Sequence, residues 1–212
     1  MKSILIWLAV IVVIGGSIWG LTKLQQRYPT TTPTSSVANV DPVSSADWIE
    51  GNKDSKTTLI EYGDFQCPAC GAYYPMVKKL VDDNGKDFRF VYRYFPLQQH
   101  AHARDAAYAA QASGKQGKFW EMHSMLYEHQ NDWSGANNAK DIFEGYARTL
   151  NLNIGQFDQD RDSQDTKNVV EKFYQSGVNA GVNSTPTFYL NNKKIQPASY
   201  QEFVDLIKTA NH

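Results

Sequence analysis

The chain has 212 residues, with 21 Lys and Arg against 22 Asp and Glu and a formal net charge of −1. With no basic surplus to displace counterions from a phosphate backbone, the composition argues against nucleic acid as a partner. Hydrophobic residues at 42% and aromatics at 13% suffice for a folded domain with a real core.

Residues 1–22 read as a transmembrane signal-anchor. The stretch from Ile4 to Leu21 is an uncharged run of 18 residues, and at about 1.5 Å per residue it is just long enough to cross a hydrocarbon core of about 30 Å. A cleavable signal peptide is the alternative; the run is longer than the usual apolar segment of about 7–15 residues, and no clean A-x-A site follows. Lys2 lies on one side and Lys23 and Arg27 on the other, so the charge rule alone does not set the orientation. Residues 23–45, rich in Pro, Thr and Ser from Pro29 to Ser36, are expected to form a flexible linker, because such a composition cannot offset its ordering entropy by burial. An ordered arm packed on the domain is the alternative. Residues 46–212 form the expected domain.

Thr57-Thr58-Leu59-Ile60-Glu61-Tyr62 predicts a buried strand and Gly63-Asp64-Phe65-Gln66 a turn. The two cysteines follow as Cys67-Pro68-Ala69-Cys70, where a helix should begin. Pro68 suits the first helical position because its missing N–H would be unpaired there in any case. Cys67 then sits at the N-cap, where free N–H groups and the helix dipole favour an anion, and the thiolate is the reactive form of cysteine. Cys70 lies one turn further on the same face, so the pair can act as a reversible two-electron switch. Three other readings compete. A structural disulfide across so short a loop stabilises by only about 2 kcal/mol. A zinc site needs about four ligands, and His100, His102, His123, His129 and His212 have no finger-like spacing. Two buried, inert thiols are the third.

Apolar Tyr73, Met76, Val77, Leu80 and Val81 predict a helix from Pro68 to about Asp83, interrupted by Pro75 and ended by Asn84-Gly85. Residues 88–95, alternating apolar and polar, predict a strand parallel to the first. A helical region follows over about 98–182, in four or five helices broken at Ser113-Gly114, Asn131 to Asn138 and Asn151 to Gly155. There His123 reads as a packed core histidine, His100 and His102 as solvated, and Trp120 and Trp133 as packing residues. Thr187 to Leu190, a turn at Asn191-Asn192, and Lys193 to Ile195 predict a hairpin. Ser199-Tyr200-Gln201-Glu202 fits a capping box opening a last helix, with Tyr200, Phe203, Val204 and Ile207 inward. The fold class is α/β, a βαβ half and a ββα half separated by a helical insertion.

Taken together, Cys67-Pro68-Ala69-Cys70 after a strand, Pro75, the insertion and Thr185-Pro186 before the next strand resemble the DsbA-like thiol:disulfide oxidoreductases of the thioredoxin-fold superfamily, in particular the membrane-anchored type. Arg93-Tyr94-Phe95-Pro96-Leu97 and residues 116–123 are also similar to stretches common in that family. The resemblance implies a thioredoxin-like fold, Cys67 as nucleophile and Cys70 as buried resolving thiol, with Pro68 and Ala69 setting the environment between them. It implies Pro186 as a cis-proline facing the cysteines and Thr185 as a backbone partner for a bound substrate chain. Glu61 would be the partly buried acid beneath the site, its pKa raised by burial, passing protons to or from Cys70; a salt-bridged strand-end glutamate is the alternative. Pro68-Ala69 lacks the histidine found between the cysteines of strong oxidases of this family. The helix terminus alone must then lower the Cys67 pKa, to below about 8.5 but short of the family's extreme. The Asn183-Ser184-Thr185 sequon falls in the expected active-site loop and is read as fortuitous.

The expected function is extracytoplasmic introduction of disulfides into reduced, unfolded exported proteins, from a cell-membrane anchor with the domain outside. The resemblance implies reoxidation by a quinone-linked membrane partner, and it implies no soluble cofactor. A reductase or isomerase of the same fold, and a non-catalytic peptide-binding adaptor, are the rivals.

Overall fold

The computed structural model describes residues 39–211. The expected anchor and most of the expected linker lie outside them; no helix among the described residues is long and apolar enough to cross a membrane. The elements run β1 (Trp48–Gly51), β2 (Thr58–Gly63), α1 (Pro68–Asn84), β3 (Arg89–Tyr94), α2 (Ala103–Lys115), α3 (Phe119–Glu128), α4 (Gln130–Trp133), α5 (Ala139–Thr149), α6 (Ile154–Asp162), α7 (Gln164–Asn179), β4 (Thr187–Leu190), β5 (Lys193–Ile195) and α8 (Tyr200–Ala210).

One sheet holds all five strands in the order β1-β3-β2-β4-β5. Strands β2 and β3 are parallel, with Glu61 opposite Tyr92, as their crossover through α1 requires. Strand β4 is antiparallel to β2, placing Thr187 opposite Tyr62. Every residue of β2 is buried, so the strand that leads into the cysteines is held on both faces and both edges. The hairpin between β4 and β5 turns on Asn191 and Asn192 at φ 47° and 65°, the left-handed conformations a two-residue turn demands. Ser199 caps α8, its Oγ accepting from Glu202 N at 3.2 Å.

Four sequence expectations need correction. Strand β1, at the sheet edge beside β3, was not foreseen: it has four residues, none fully buried, and so carries no alternating pattern. The insertion holds six helices; α6 buries only Phe157, which leaves no apolar stripe to read. Residues 39–45, assigned to the end of the linker, lie on the domain: Val40 is buried and Pro42 O accepts from Arg93 Nη2. The cause is the buried Arg93 guanidinium, whose five donors require acceptors that this segment and Asp47 supply. His100 is not solvated; its Nδ1 lies 2.7 Å from the buried Asp64 carboxylate. His123, by contrast, is a core residue packed among Phe65, Tyr92 and Tyr127.

Candidate active site

The β2 strand delivers the chain to Asp64, whose backbone carbonyl accepts from Cys67 N at 3.1 Å and closes the turn. The Asp64 carboxylate then fixes the loop from within. Its Oδ1 accepts from Gln66 N at 2.8 Å, and its Oδ2 accepts from Leu97 N at 2.9 Å. The loops after β2 and β3 are thereby tied to one another beside the cysteines. Cys67 is the N-cap of α1 with extended backbone (φ −70°, ψ 121°), and Pro68 opens the helix. No side chain caps this terminus, so the sulfur itself is the group facing the free N–H groups.

Both cysteines are buried and both are thiols in this structure. The Cys67 thiolate is strongly favoured, its pKa brought down to about 5. A hydrogen bond from the Cys70 thiol is the largest cause; Thr185 and the backbone N–H groups of Cys70 and Ala69 add to it, and burial opposes them. Cys70 goes the other way: burial first, then its bond to Cys67, push its thiol well above the ordinary range. Its sulfur accepts from Asp64 N at 3.5 Å. One thiol is thus held as an anion and its neighbour as a proton carrier, the asymmetry that lets one sulfur be attacked and the other leave.

Thr185-Pro186 is a cis peptide bond, brought against the cysteines by the turn into β4. The Cys67 thiol donates to Thr185 O at 3.3 Å, and among the described residues the buried Thr185 hydroxyl has no hydrogen-bond partner while Cys67 is a thiol, which leaves it free to serve the thiolate. Glu61 lies on β2 at 4% exposure with its pKa raised to about 8, by burial and then by the charge of Cys67. Among the described residues no cation pairs with it, which speaks against the salt-bridged alternative. The structure therefore gathers Cys67, Pro68, Ala69, Cys70, Glu61, Thr185 and Pro186 at one place. Among the described residues no group of three or more His, Cys, Asp or Glu side chains is placed to hold a metal ion.

Sequence reasoning missed the clamp that holds the cysteine loop against the insertion. Gln130 Nε2 donates to both Phe65 O at 2.7 Å and Cys67 O at 2.9 Å. Gln66 reciprocates, its Nε2 donating to Ser134 O at 2.7 Å and its Oε1 accepting from His102 N at 2.6 Å. A glutamine in a four-residue helix carries no sequence signal for this role.

The family model described as Thioredoxin matches residues 44–209. Among curated proteins, the chain is 37% identical over 157 residues to Na(+)/H(+) antiporter NhaA 1 of Salinispora arenicola, covering 73% of this chain and 23% of that protein. It is 38% identical over 164 residues to Na(+)/H(+) antiporter NhaA 1 of Mycobacterium sp. (strain KMS), covering 74% and 25%. The chain spans about a quarter of the length of these curated relatives. Among solved structures, oxidised BdbD from Bacillus subtilis superposes with a TM-score of 0.72 at 24% identity, covering 84% of this chain and 99% of that one. Wolbachia pipientis alpha-DsbA1 gives 0.69 at 20% identity, covering 80% and 92%. A thioredoxin-like oxidoreductase from Silicibacter pomeroyi gives 0.66 at 24% identity, covering 79% and 93%. These are likenesses of fold, and they include the helical insertion.

Proposed function

This chain belongs to the thioredoxin family, and on that premise we propose that it is a DsbA-like enzyme that oxidises reduced, unfolded exported proteins through Cys67 and Cys70. A substrate thiolate attacks Cys67 Sγ of the oxidised pair. The new bond joins substrate sulfur to Cys67; the Cys67–Cys70 bond breaks, and Cys70 leaves with the electron pair and takes a proton from Glu61. A second substrate thiolate then attacks the substrate sulfur of the mixed disulfide, forming the product disulfide and releasing Cys67 as a thiolate. Two electrons pass from two substrate thiols to the cysteine pair. Thr185, beside the cis-proline, offers its backbone to the incoming chain in strand-like pairing.

The observation that carries this reading is the opposed ionisation of the two sulfurs, Cys67 lowered to about 5 and Cys70 raised. A stable Cys67 thiolate favours the dithiol state, and a pair whose reduced form is stabilised is an oxidant. The domain works outside the cytosol, where disulfides persist, held by the apolar segment of residues 1–22 and reoxidised by a quinone-linked membrane partner. Support for that placement comes from the apolar run and the family resemblance.

Equilibrating the pair with glutathione tests the direction. The expected potential lies between the roughly −120 mV of the strongest oxidants of this fold and the roughly −270 mV of thioredoxin. A value at the thioredoxin end would replace oxidation by reduction. Full activity of Cys67→Ala in a reduced-protein oxidation assay would leave only a non-catalytic peptide-binding role.

A further inference from the structure

The peptide group between Gly63 and Asp64 stands where β2 ends, and its N–H donates to Cys70 Sγ with the nitrogen 3.5 Å from the sulfur. A peptide is planar, so the direction of its carbonyl fixes the direction of its N–H. Phe95 N donates to Gly63 O at 2.8 Å and holds the carbonyl end toward the chain leaving β3. The Asp64 side chain holds the other end: its Oδ2 accepts from Leu97 N at 2.9 Å and lies 2.7 Å from His100 Nδ1. An ionised carboxylate only accepts, so Nδ1 carries the hydrogen, and imidazole and imidazolium both supply it. Phe95, Leu97 and His100 thus grip one peptide unit from both sides, and that unit faces the sulfur that leaves when the disulfide breaks.

We propose that the Gly63–Asp64 peptide N–H is a thiolate hole for the departing Cys70 sulfur, and that Asp64 and His100 are positioning residues that aim it. The proposal rests on the cysteine-pair reading above and adds the group that receives the charge of the leaving sulfur.

Three observations support it. First, Cys70 needs a donor. It is wholly buried, so bulk water does not solvate its charge. Burial, Cys67 and Glu61 all disfavour its anion, whereas the Asp64 N–H favours it. Second, the donor is strengthened where it stands, because a carbonyl that accepts a hydrogen bond polarises the N–H of its own peptide. Third, the Asp64 carboxylate is fixed. Its side chain is wholly buried and takes hydrogen bonds from Gln66 N, Leu97 N and His100, so it has no freedom to swing. His100, with 19% of its side chain exposed, is the one of these three donors that belongs to a side chain and can be removed without touching the backbone.

The step balances without any further reactant. A thiolate attacks Cys67 Sγ, the new S–S bond forms, the Cys67–Cys70 bond breaks, and Cys70 takes the electron pair. Charge builds on Cys70 Sγ as that bond stretches, ahead of the proton that finally neutralises it, and the Asp64 N–H meets it there. The 3.5 Å separation belongs to the thiol, and bonds of this kind tighten as charge develops. The side chains of Asp64 and His100 act through this peptide.

The test is stopped-flow reduction of the oxidised full-length protein by dithiothreitol, with the glutathione potential and the Cys67 titration measured alongside. His100→Leu removes the imidazole donor, and His100→Asn keeps an N–H near the Nδ1 position. Asp64→Asn keeps an acceptor for Gln66 N and loses the one that Leu97 N and His100 share. His100→Leu and Asp64→Asn should each slow disulfide cleavage by about 10-fold, part of the worth of a hydrogen bond to a charged group. His100→Asn should recover most of the wild-type rate. In His100→Leu the potential and the Cys67 midpoint should stay where they are, because Cys70 is uncharged in both end states and the donor acts on the transition state. A loop that had merely loosened would move both. A wild-type rate in either slowed variant, a His100→Asn as slow as His100→Leu, or a slowed His100→Leu whose Cys67 midpoint shifts with the rate would each overturn the proposal. Should Asp64→Asn not fold, His100→Leu, on a partly exposed loop, decides alone. If the oxidised wild-type protein fails to oxidise reduced proteins while the cleavage rates still divide in this way, the oxidase reading falls and the thiolate hole stands.

Discussion

The Cys67 sulfur lies 3.3 Å from the backbone carbonyl oxygen of Thr185, a residue 118 positions away on the loop that enters β4. A carbonyl suits the thiol, which donates to it, and repels the thiolate. Stabilising the anion at this position falls to the Thr185 hydroxyl, which is buried and otherwise unpaired. Thr185→Val removes that donor and keeps the shape. A hydrogen bond to a charged group is worth about 1.5–3 kcal/mol, so the Cys67 pKa should rise by about one to two units. The potential should become more reducing by about 30 mV per unit. Thiolate absorbance at 240 nm against pH reads the first, and an unmoved midpoint would remove Thr185 from the ionisation of Cys67.

Cys70→Ala should stop the chemistry halfway. Cys67 keeps the helix terminus, but no internal thiol remains to expel a bound partner. Mixed with a disulfide-containing peptide at neutral pH, this variant should accumulate a mixed disulfide visible by mass spectrometry. Cys67→Ala should accumulate none, because Cys70 is fully buried and its thiol resists ionisation. Equal trapping by both variants would contradict the assignment of the nucleophilic role to Cys67.

The dithiol protein should show a nearly flat stability between about pH 6.5 and 8, for a reason that can be separated by mutation; below 6.5 the buried His123, its pKa pulled down from 6.5 to about 3, adds a further loss as pH falls. Glu61 has its folded pKa raised from 4.5 to about 8, so its contribution is full below the lower value and is lost as pH rises through the higher one. Cys67 is lowered from 9.0 to about 5, so its contribution is full above 9.0 and is lost as pH falls through about 5. The two slopes oppose each other across the shared window. Above about pH 6.5, where the buried His123 is neutral folded or unfolded, only the cysteine slope remains in Glu61→Gln, and stability should climb with pH by up to about 1.4 kcal/mol per unit. Urea midpoints at about pH 6.8 and 7.8 under reducing conditions measure it; identical midpoints in the variant would refute the opposition.

Most of this site was legible because its chemistry is local. The strand, the turn and Cys67-Pro68 follow one another in the chain, so strand propensity and N-terminal helix rules placed the sulfur without knowledge of the fold. Glu61 was legible as a position on β2 with a pKa raised by burial, but the side chains that bury it, from α1 and α3, were not. Gln130, Gln66 and the Asp64–His100 pair were not legible at all. Each acts between loops far apart in sequence, and a polar side chain whose partner is a distant backbone carbonyl leaves no periodicity behind. Strand β1 escaped for a related reason: its identity comes from the exposed edge of β3 and not from its own four residues.

The Gln130 clamp makes a prediction with a sign. A Cβ on Gly71 would come within 2.7 Å of Gln130 Oε1, the end of a flexible side chain that would have to move. Gln130→Leu alone should destabilise by about 1–3 kcal/mol, since Phe65 O loses a donor. In the wild-type background Gly71→Ala should disturb the same clamp; in the Gln130→Leu background it should stabilise by up to about 1 kcal/mol through helix propensity. A double-mutant cycle checks this, and additive effects would mean that the two residues do not meet.

Arg93 is buried at 1% exposure, with its Nε 2.7 Å from Asp47 Oδ1 and its Nη2 reaching Pro42 O. That arrangement sets where an expressible fragment can begin. A truncation starting at Trp48 would keep every strand and helix described and still strand a guanidinium without its counter-charge, a loss of about 3–5 kcal/mol when one partner of a buried pair is removed. Recombinant versions should therefore start ahead of Val40, and a shorter version that proved insoluble would report on this one ion pair before it said anything about the cysteines.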